Sequence, residues 1–266
     1  MSALYPIGAR SSLDSPTKLD RAKVPNWVEG RWILNLYPGA AEAGGCYVGT
    51  ARPGFGGSRW EPDPDRSAVE AARRARGHVR RYCAANRLNR LGTLTYAGAG
   101  CYDPGQLRGD VAGFFKRLRG PSGARLPYLW VPEWHPGGHG LHAHFAVGRF
   151  IFHGTIKAAW RRGFVHITLL GDLPVGSGAL GEARLAARYL SKYVGKDLGE
   201  ARAAGLHRYE VAQGFQPTAR RISGPTLDEV LARASDLMGA QPEEVWDSAS
   251  DEDWSGPHAI WARWRA

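Results

Sequence analysis

Between Leu91 and Val194 the hydrophobic pattern switches repeatedly between the period of a strand and that of a helix. This succession restricts the folds open to the chain more than any other feature. Leu91–Tyr96 alternates as a strand, and Gln106–Arg119 sets Val111, Phe114, Phe115 and Leu118 at helical spacing. Tyr128–Glu133 and Leu141–Val147 read as two strands around a turn rich in Gly and Pro. Thr155–Arg162 then reads as a short helix, Phe164–Leu170 as a strand and Gly181–Val194 as a helix behind a Gly/Ser-rich loop. The order β-α-β-β-α-β, followed by α, is that of an α+β fold with a ferredoxin-like or RRM-like antiparallel sheet flanked by helices.

The flanks are less regular. Residues 1–65 form an N-terminal extension: an irregular lead-in to residue 27, two short strands (Arg31–Tyr37 and Gly45–Thr50) that can make an accessory hairpin, and a Gly/Pro-rich loop to Asp65. Ser67–Arg90 reads as a helix bearing Arg73, Arg74, Arg76, Arg80, Arg81, Arg87 and Arg90, whose usual fate is a solvated face. Residues 66–200 are the expected core. Residues 201–266 are a C-terminal extension, with a strand over Leu206–Gly214, a helix over Leu227–Met238, an acidic loop over Gln241–Asp253 and a docked aromatic terminus at Ala259–Trp264.

Charge is unevenly spread. The chain carries +10, but residues 225–254 hold nine acids against Arg233 alone, so the remainder carries about +18. A basic body favours a polyanionic partner, although the preference for arginine (29 of 35 cations) can also follow from base composition. Cys46, Cys83 and Cys101 are odd in number and have no CxxC spacing, which excludes a disulfide framework or thiolate zinc site and fits a reducing cytoplasm. No apolar run reaches the ~20 residues of a membrane span, so no membrane partner is expected. No GxxxxGK[ST] motif is present, so neither a nucleotide cofactor nor a fused helicase is expected.

Within Leu141–Val147, His142 and His144 flank Ala143. Side chains two apart on a strand leave the same face, so both imidazoles can reach one ion. If the preceding turn is centred on Gly137 and Gly138, Glu133 lies opposite His142, within ~5 Å between Cβ atoms. Glu133, His142 and His144 then converge as ligands of a divalent metal, Mn²⁺ or Mg²⁺, with zinc as an alternative. His139 is the competing third ligand, on a poorly preorganised loop. His135, His153, His166 and His207 read as structural, with His166 alternating toward the site side of its strand.

Tyr189, Lys192, Tyr193 and Lys196 recur at i, i+3, i+4 and i+7 and so share one helical face. An apolar core stripe would not carry two lysines. A phenol titrating near 10 is a weak nucleophile at neutral pH, and a neighbouring ammonium with a metal-bound phosphate supplies the help it needs to form a phosphotyrosyl ester.

These segments together resemble the HUH endonucleases, specifically the rolling-circle replication initiators (Rep) of plasmids and single-stranded DNA phages. Thr93-Leu94-Thr95-Tyr96 resembles the first motif, a strand of undefined role; Glu133 with His142-Ala143-His144 the second, metal-binding motif; and Tyr189–Lys196 the third, nucleophile motif. The order also separates the chain from conjugative relaxases, which place the tyrosine before the histidines. The resemblance implies the HUH endonuclease fold and site-specific, metal-dependent nicking and rejoining through a 5′-phosphotyrosine. Tyr189 and Tyr193, singly or both, would be nucleophiles assisted by Lys192 and Lys196. The implied partners are single-stranded or hairpin origin DNA, a host helicase and a DNA polymerase, and Arg73, Arg80, Arg81 and Arg188 are the arginines expected to touch DNA. Two other readings are a transposase- or relaxase-like HUH strand transferase and a non-catalytic RRM-like nucleic-acid-binding module.

Overall fold

A computed structural model of the chain describes residues 28–50, 64–168, 178–196, 205–254 and 256–265. The expected lead-in, the Gly/Pro-rich loop after residue 50, the Gly/Ser-rich loop before the tyrosine helix and the end of the strand expected to reach Leu170 lie outside these residues. The elements run β1 (Val28–Tyr37), β2 (Glu42–Thr50), α1 (Pro64–Ala85), β3 (Arg90–Tyr96), α2 (Pro104–Arg119), β4 (Tyr128–Trp134), β5 (Leu141–Val147), α3 (His153–Trp160), β6 (Gly163–Thr168), α4 (Gly178–Val194), β7 (Glu210–Val211), β8 (Arg220–Gly224), α5 (Leu227–Met238), β9 (Glu244–Asp247) and β10 (Ala259–Arg263).

The central succession folds as its pattern requires. Its strands form an antiparallel sheet in the order β6-β3-β5-β4-β7, the split βαβ arrangement with one short strand added at the edge. Alternation along β5 sends Leu141, Ala143, Phe145 and Val147 to one face, where α2 and α3 contribute Val111, Phe114, Phe115, Ile156 and Trp160. Phe114 meets both Phe145 and Trp160 edge-on. Each such fully buried aromatic contributes about 2–3 kcal/mol through apolar burial. The other face carries Leu91, Leu129, Val131 and Ala146 and is covered by α1 and α4 through Val79, Tyr82, Cys83, Ala186, Ala187 and Leu190.

Both extensions contribute to a second antiparallel sheet, β8-β1-β2-β10-β9. The expected hairpin is present, with Leu34 opposite Gly45 and Leu36 opposite Ala43. One face packs Trp32, Leu34, Leu36, Ile222 and Ile260 against Val230 and Ala234 of α5. The opposite side receives the arginine side of α1: Glu42, only 2 % exposed, accepts from Nε and Nη2 of Arg80 at 2.8 and 3.2 Å, with Arg81 Nη1 at 3.7 Å. Arg80 also lies over Trp261, and Arg81 over Tyr37. The solvated face expected for this helix is therefore partly an interface between the two sheets.

Several expected boundaries move. The basic helix ends at Ala85 rather than Arg90, because Arg87 turns into the left-handed region and Leu88 N–H caps onto the Cys83 carbonyl. The strand expected over Leu206–Gly214 shrinks to β7, which pairs only with Leu129 and Trp130; Pro132 further along β4 has no N–H to extend the ladder. The expected acidic loop contains β9, whose charged residues suit a sheet edge. β8, short and arginine-bearing, has no counterpart among the expected strands.

The turn before β5 is held from outside. Gly140 has φ +76°, and a Cβ there would lie 2.2 Å from the Cys101 carbonyl oxygen, which accepts from Leu141 N–H. Gly138 has φ +73° but faces open space. Gly138→Ala should therefore cost about 1 kcal/mol from left-handed backbone alone, and Gly140→Ala about 2 kcal/mol or more because the Cys101 backbone is pushed away as well. Urea denaturation measures both; equal midpoints would show that Cys101 does not anchor the strand.

Candidate metal and nucleophile site

The faces of β4 and β5 opposite α2 and α3 present Glu133, His142 and His144 toward α4. Glu133 stands directly across from His142, as the turn position predicts, and Val131 across from His144. All three site residues are buried, and their ligand atoms lie within 4.8 Å of one another. Glu133 Oε2 is 2.8 Å from Nε2 of His142 and 2.8 Å from Nε2 of His144, while its Oε1 accepts from Lys196 Nζ just beyond the last turn of α4.

Burial opposes the Glu133 charge, but the Lys196 ammonium and the two imidazole hydrogen bonds outweigh it and hold the carboxyl at about 2. Burial lowers both histidines, His144 to about 4, despite the carboxylate beside them. The resulting set, an ionised carboxylate and two neutral imidazoles, is the protonation state in which these groups bind metal. Two ring nitrogens facing one carboxylate oxygen must each supply a proton or share a cation. The donor set thus fits a divalent ion, which Glu133, His142 and His144 can hold.

Thr93, in the segment of undefined role, stands between His144 and His166 in the ladder, and its Oγ1 lies 3.0 Å from His144 Nδ1. A hydroxyl can donate or accept, so Thr93 can orient the ring in either tautomer and leave Nε2 to face the ligand position. The sequence alone leaves this role open because it depends on a pairing between strands far apart in the chain. His139 is not part of the cluster: its ring meets His135, which in turn meets His142 edge-on. His153 contacts the Val165 carbonyl, His207 is exposed, and His166 shares the Thr93 row, as its alternation predicts.

The tyrosine helix meets this cluster. Tyr193 stacks on His144 with ring centroids 3.9 Å apart and donates to the Tyr189 hydroxyl at 3.0 Å. Burial, then the contact with Tyr189, raises Tyr193 above the ordinary phenol value. Lys196 Nζ lies 5.1 Å from the Tyr193 ring centroid and Lys192 Nζ 5.5 Å from that of Tyr189. Lys196 therefore touches both the carboxylate and a tyrosine, whereas Lys192 serves only the tyrosine side. The arginines expected to touch DNA lie elsewhere. Arg80 and Arg81 engage Glu42, Arg73 pairs with Glu70 and lies over Trp254, and Arg188 is exposed on α4.

Chemically, the arrangement joins a cation site, two phenols and an ammonium on one sheet face. Mn²⁺ at 100 times its Kd should stabilise the chain by about 2.7 kcal/mol, seen as a rise in melting temperature. His142→Ala should abolish that rise, and Thr93→Val should weaken Mn²⁺ affinity about 10-fold or more. An unchanged rise in His142→Ala would contradict the assignment of the ligands.

Residues 89–198, which contain every residue of this cluster, match a family model for replication-associated proteins of the ORF2 type. The match supports a role in replication initiation of the Rep type. Searches of curated proteins and of solved structures give no significant match. Among the described residues no helix is long and apolar enough to cross a membrane, and all three cysteines are free.

Proposed function

We propose that the chain is a metal-dependent, site-specific single-strand DNA nickase and strand transferase that initiates rolling-circle replication. The observation that carries this reading is the meeting of Glu133, His142 and His144 with Tyr189, Tyr193 and Lys196 inside the segment similar to replication-associated proteins. A divalent cation, Mn²⁺ or Mg²⁺, held by Glu133, His142 and His144 would polarise a phosphate oxygen of the scissile bond. Thr93 keeps the His144 ring oriented. Lys196 places positive charge beside Glu133 and the Tyr193 ring, where it favours phenolate over phenol and stabilises charge developing at phosphorus.

A tyrosine Oη forms the new bond to phosphorus as the bond from phosphorus to the 3′ oxygen breaks. The proton lost by the phenol is balanced by the one that the 3′ oxygen gains. The strand keeps its 5′-phosphate on tyrosine and ends in a free 3′-hydroxyl for a polymerase. One phosphodiester replaces another, so attack by a 3′-hydroxyl on the phosphotyrosine rejoins the strand without an energy source. The 3.0 Å separation of the two hydroxyls supports a pair of nucleophiles at one site, one holding the first strand while the other attacks the next.

Incubation of the full chain with Mn²⁺ and a single-stranded origin oligonucleotide should yield an SDS-stable adduct that carries the fragment whose 5′-phosphate was freed by the break. Tyr189→Phe/Tyr193→Phe should lower its yield by roughly 10³-fold or more, with each single variant retaining part of it. Lys196→Ala should slow adduct formation about 10²-fold. A double variant that forms adduct at the parental rate would remove both tyrosines from the mechanism.

A further inference from the structure

On the side of α4 next to the tyrosines, the junction with α1 and the second sheet encloses a cavity of about 360 Å³. Arg76, Arg80, Arg184, Arg188 and Arg263 line it against one carboxylate, Glu42. Glu42 is already committed to Arg80 and Arg81, and Arg263 pairs with Glu244 on the outer side. Arg184 donates to the carbonyls of Ala40, Ala41 and Trp264. Among the described residues Arg76 and Arg188 have no carboxylate partner. Five guanidinium groups around one acid repel one another unless an anion joins them, because like charges a few ångströms apart cost energy even at high effective dielectric. Two further lining residues have unmet donors: Trp261 Nε1–H and Arg263 Nε–H are buried without an acceptor among the described residues. Such groups are uncommon, and an anion seated between them offers an acceptor after a small turn of either side chain.

We infer that this cavity is a second phosphate site, which holds a backbone phosphate of the same DNA strand whose scissile phosphate lies at Glu133, His142 and His144. The inference rests on the reading of α4 as the nucleophile helix. At about 100° per residue, Arg184, Arg188, Ser191 and Gly195 form a stripe directly beside that of Tyr189, Lys192, Tyr193 and Lys196. A strand leaving the tyrosines crosses Lys192 to reach Arg188 and the Ser191 hydroxyl. At the end of the helix the two sites nearly touch: a Cβ on Gly195 would sit 2.8 Å from Arg76 Nη1, and the next residue, Lys196, donates to Glu133. The cavity is larger than a bare phosphate needs and falls in the range of small-ligand pockets, which favours a nucleotide unit of a polymer over free phosphate. The exposed edge of Trp261, backed by Arg80, adds an aromatic surface suited to a base.

The test uses the full chain in the Tyr189→Phe/Tyr193→Phe background, with binding of a fluorescent single-stranded oligonucleotide followed by anisotropy across salt concentrations. Arg76→Ala/Arg188→Ala changes exposed positions and should raise Kd about 10-fold or more, with the slope of log K against log salt falling by about 0.7 for each phosphate the variant no longer neutralises. Ser191→Asp, which adds a carboxylate to the cavity, should do the same. With both tyrosines restored, the arginine variant should still form adduct at saturating oligonucleotide. Unchanged Kd and slope in both variants would overturn the inference, as would arginine-dependent binding of tripolyphosphate with oligonucleotide affinity unaffected. If the parental chain forms no adduct while the arginine variant still loses affinity and slope, the phosphate site stands and the nicking reaction fails.

Discussion

The Glu133 carboxylate is the point on which the candidate site depends. One oxygen faces both imidazoles and the other accepts from Lys196, so a single buried charge ties β4 to β5 and both to the end of α4. Burying a carboxylate is costly unless its lone pairs are met, and here three partners from two elements meet them. The same contacts give the cluster its chemistry: they keep the carboxylate ionised, leave the histidines neutral, and bring an ammonium to the stacked ring of Tyr193. Removing Glu133 would release Lys196 and the histidines together.

A second buried carboxylate, Glu42, works in a parallel way on the far side of α1. It fixes Arg80 and Arg81, and so joins the sheet built from both ends of the chain to the helix that roofs the central sheet. The helix α1 is therefore shared, with Val79, Tyr82 and Cys83 packed on one sheet and its arginines on the other. α4 is divided similarly, with core residues, a tyrosine/lysine stripe and an arginine/serine stripe running side by side. Arginine suits the second stripe, since its planar fork stays charged and can contact several acceptors; the compact ammonium of Lys196 suits a single carboxylate oxygen.

Much of the central sheet was legible because its information is local. The strand alternation of Leu141–Val147, the turn at Gly137 and Gly138 and the helical spacing of Tyr189 to Lys196 each lie within one element or hairpin, and the observed register sets Glu133 opposite His142 as they require. What depended on pairing between distant strands was not legible. The Thr93 contact with His144 needs β3 beside β5, and the Lys196 contact with Glu133 needs α4 across β4. The second sheet was hidden for a further reason. Its edge strands, Arg220–Gly224 and Glu244–Asp247, are short and charged, as exposed edges tend to be, so they lack the apolar alternation that identifies a strand.

The central claim is that Glu133, His142 and His144 form a metal centre beside the paired tyrosines. Anomalous diffraction at the manganese edge, from crystals of the chain grown with Mn²⁺, tests it directly. The account predicts one peak bonded to Nε2 of His142, Nε2 of His144 and a carboxylate oxygen of Glu133, facing Tyr189 and Tyr193. A peak at His135 and His139, or none between Glu133 and the two strand histidines, would contradict it.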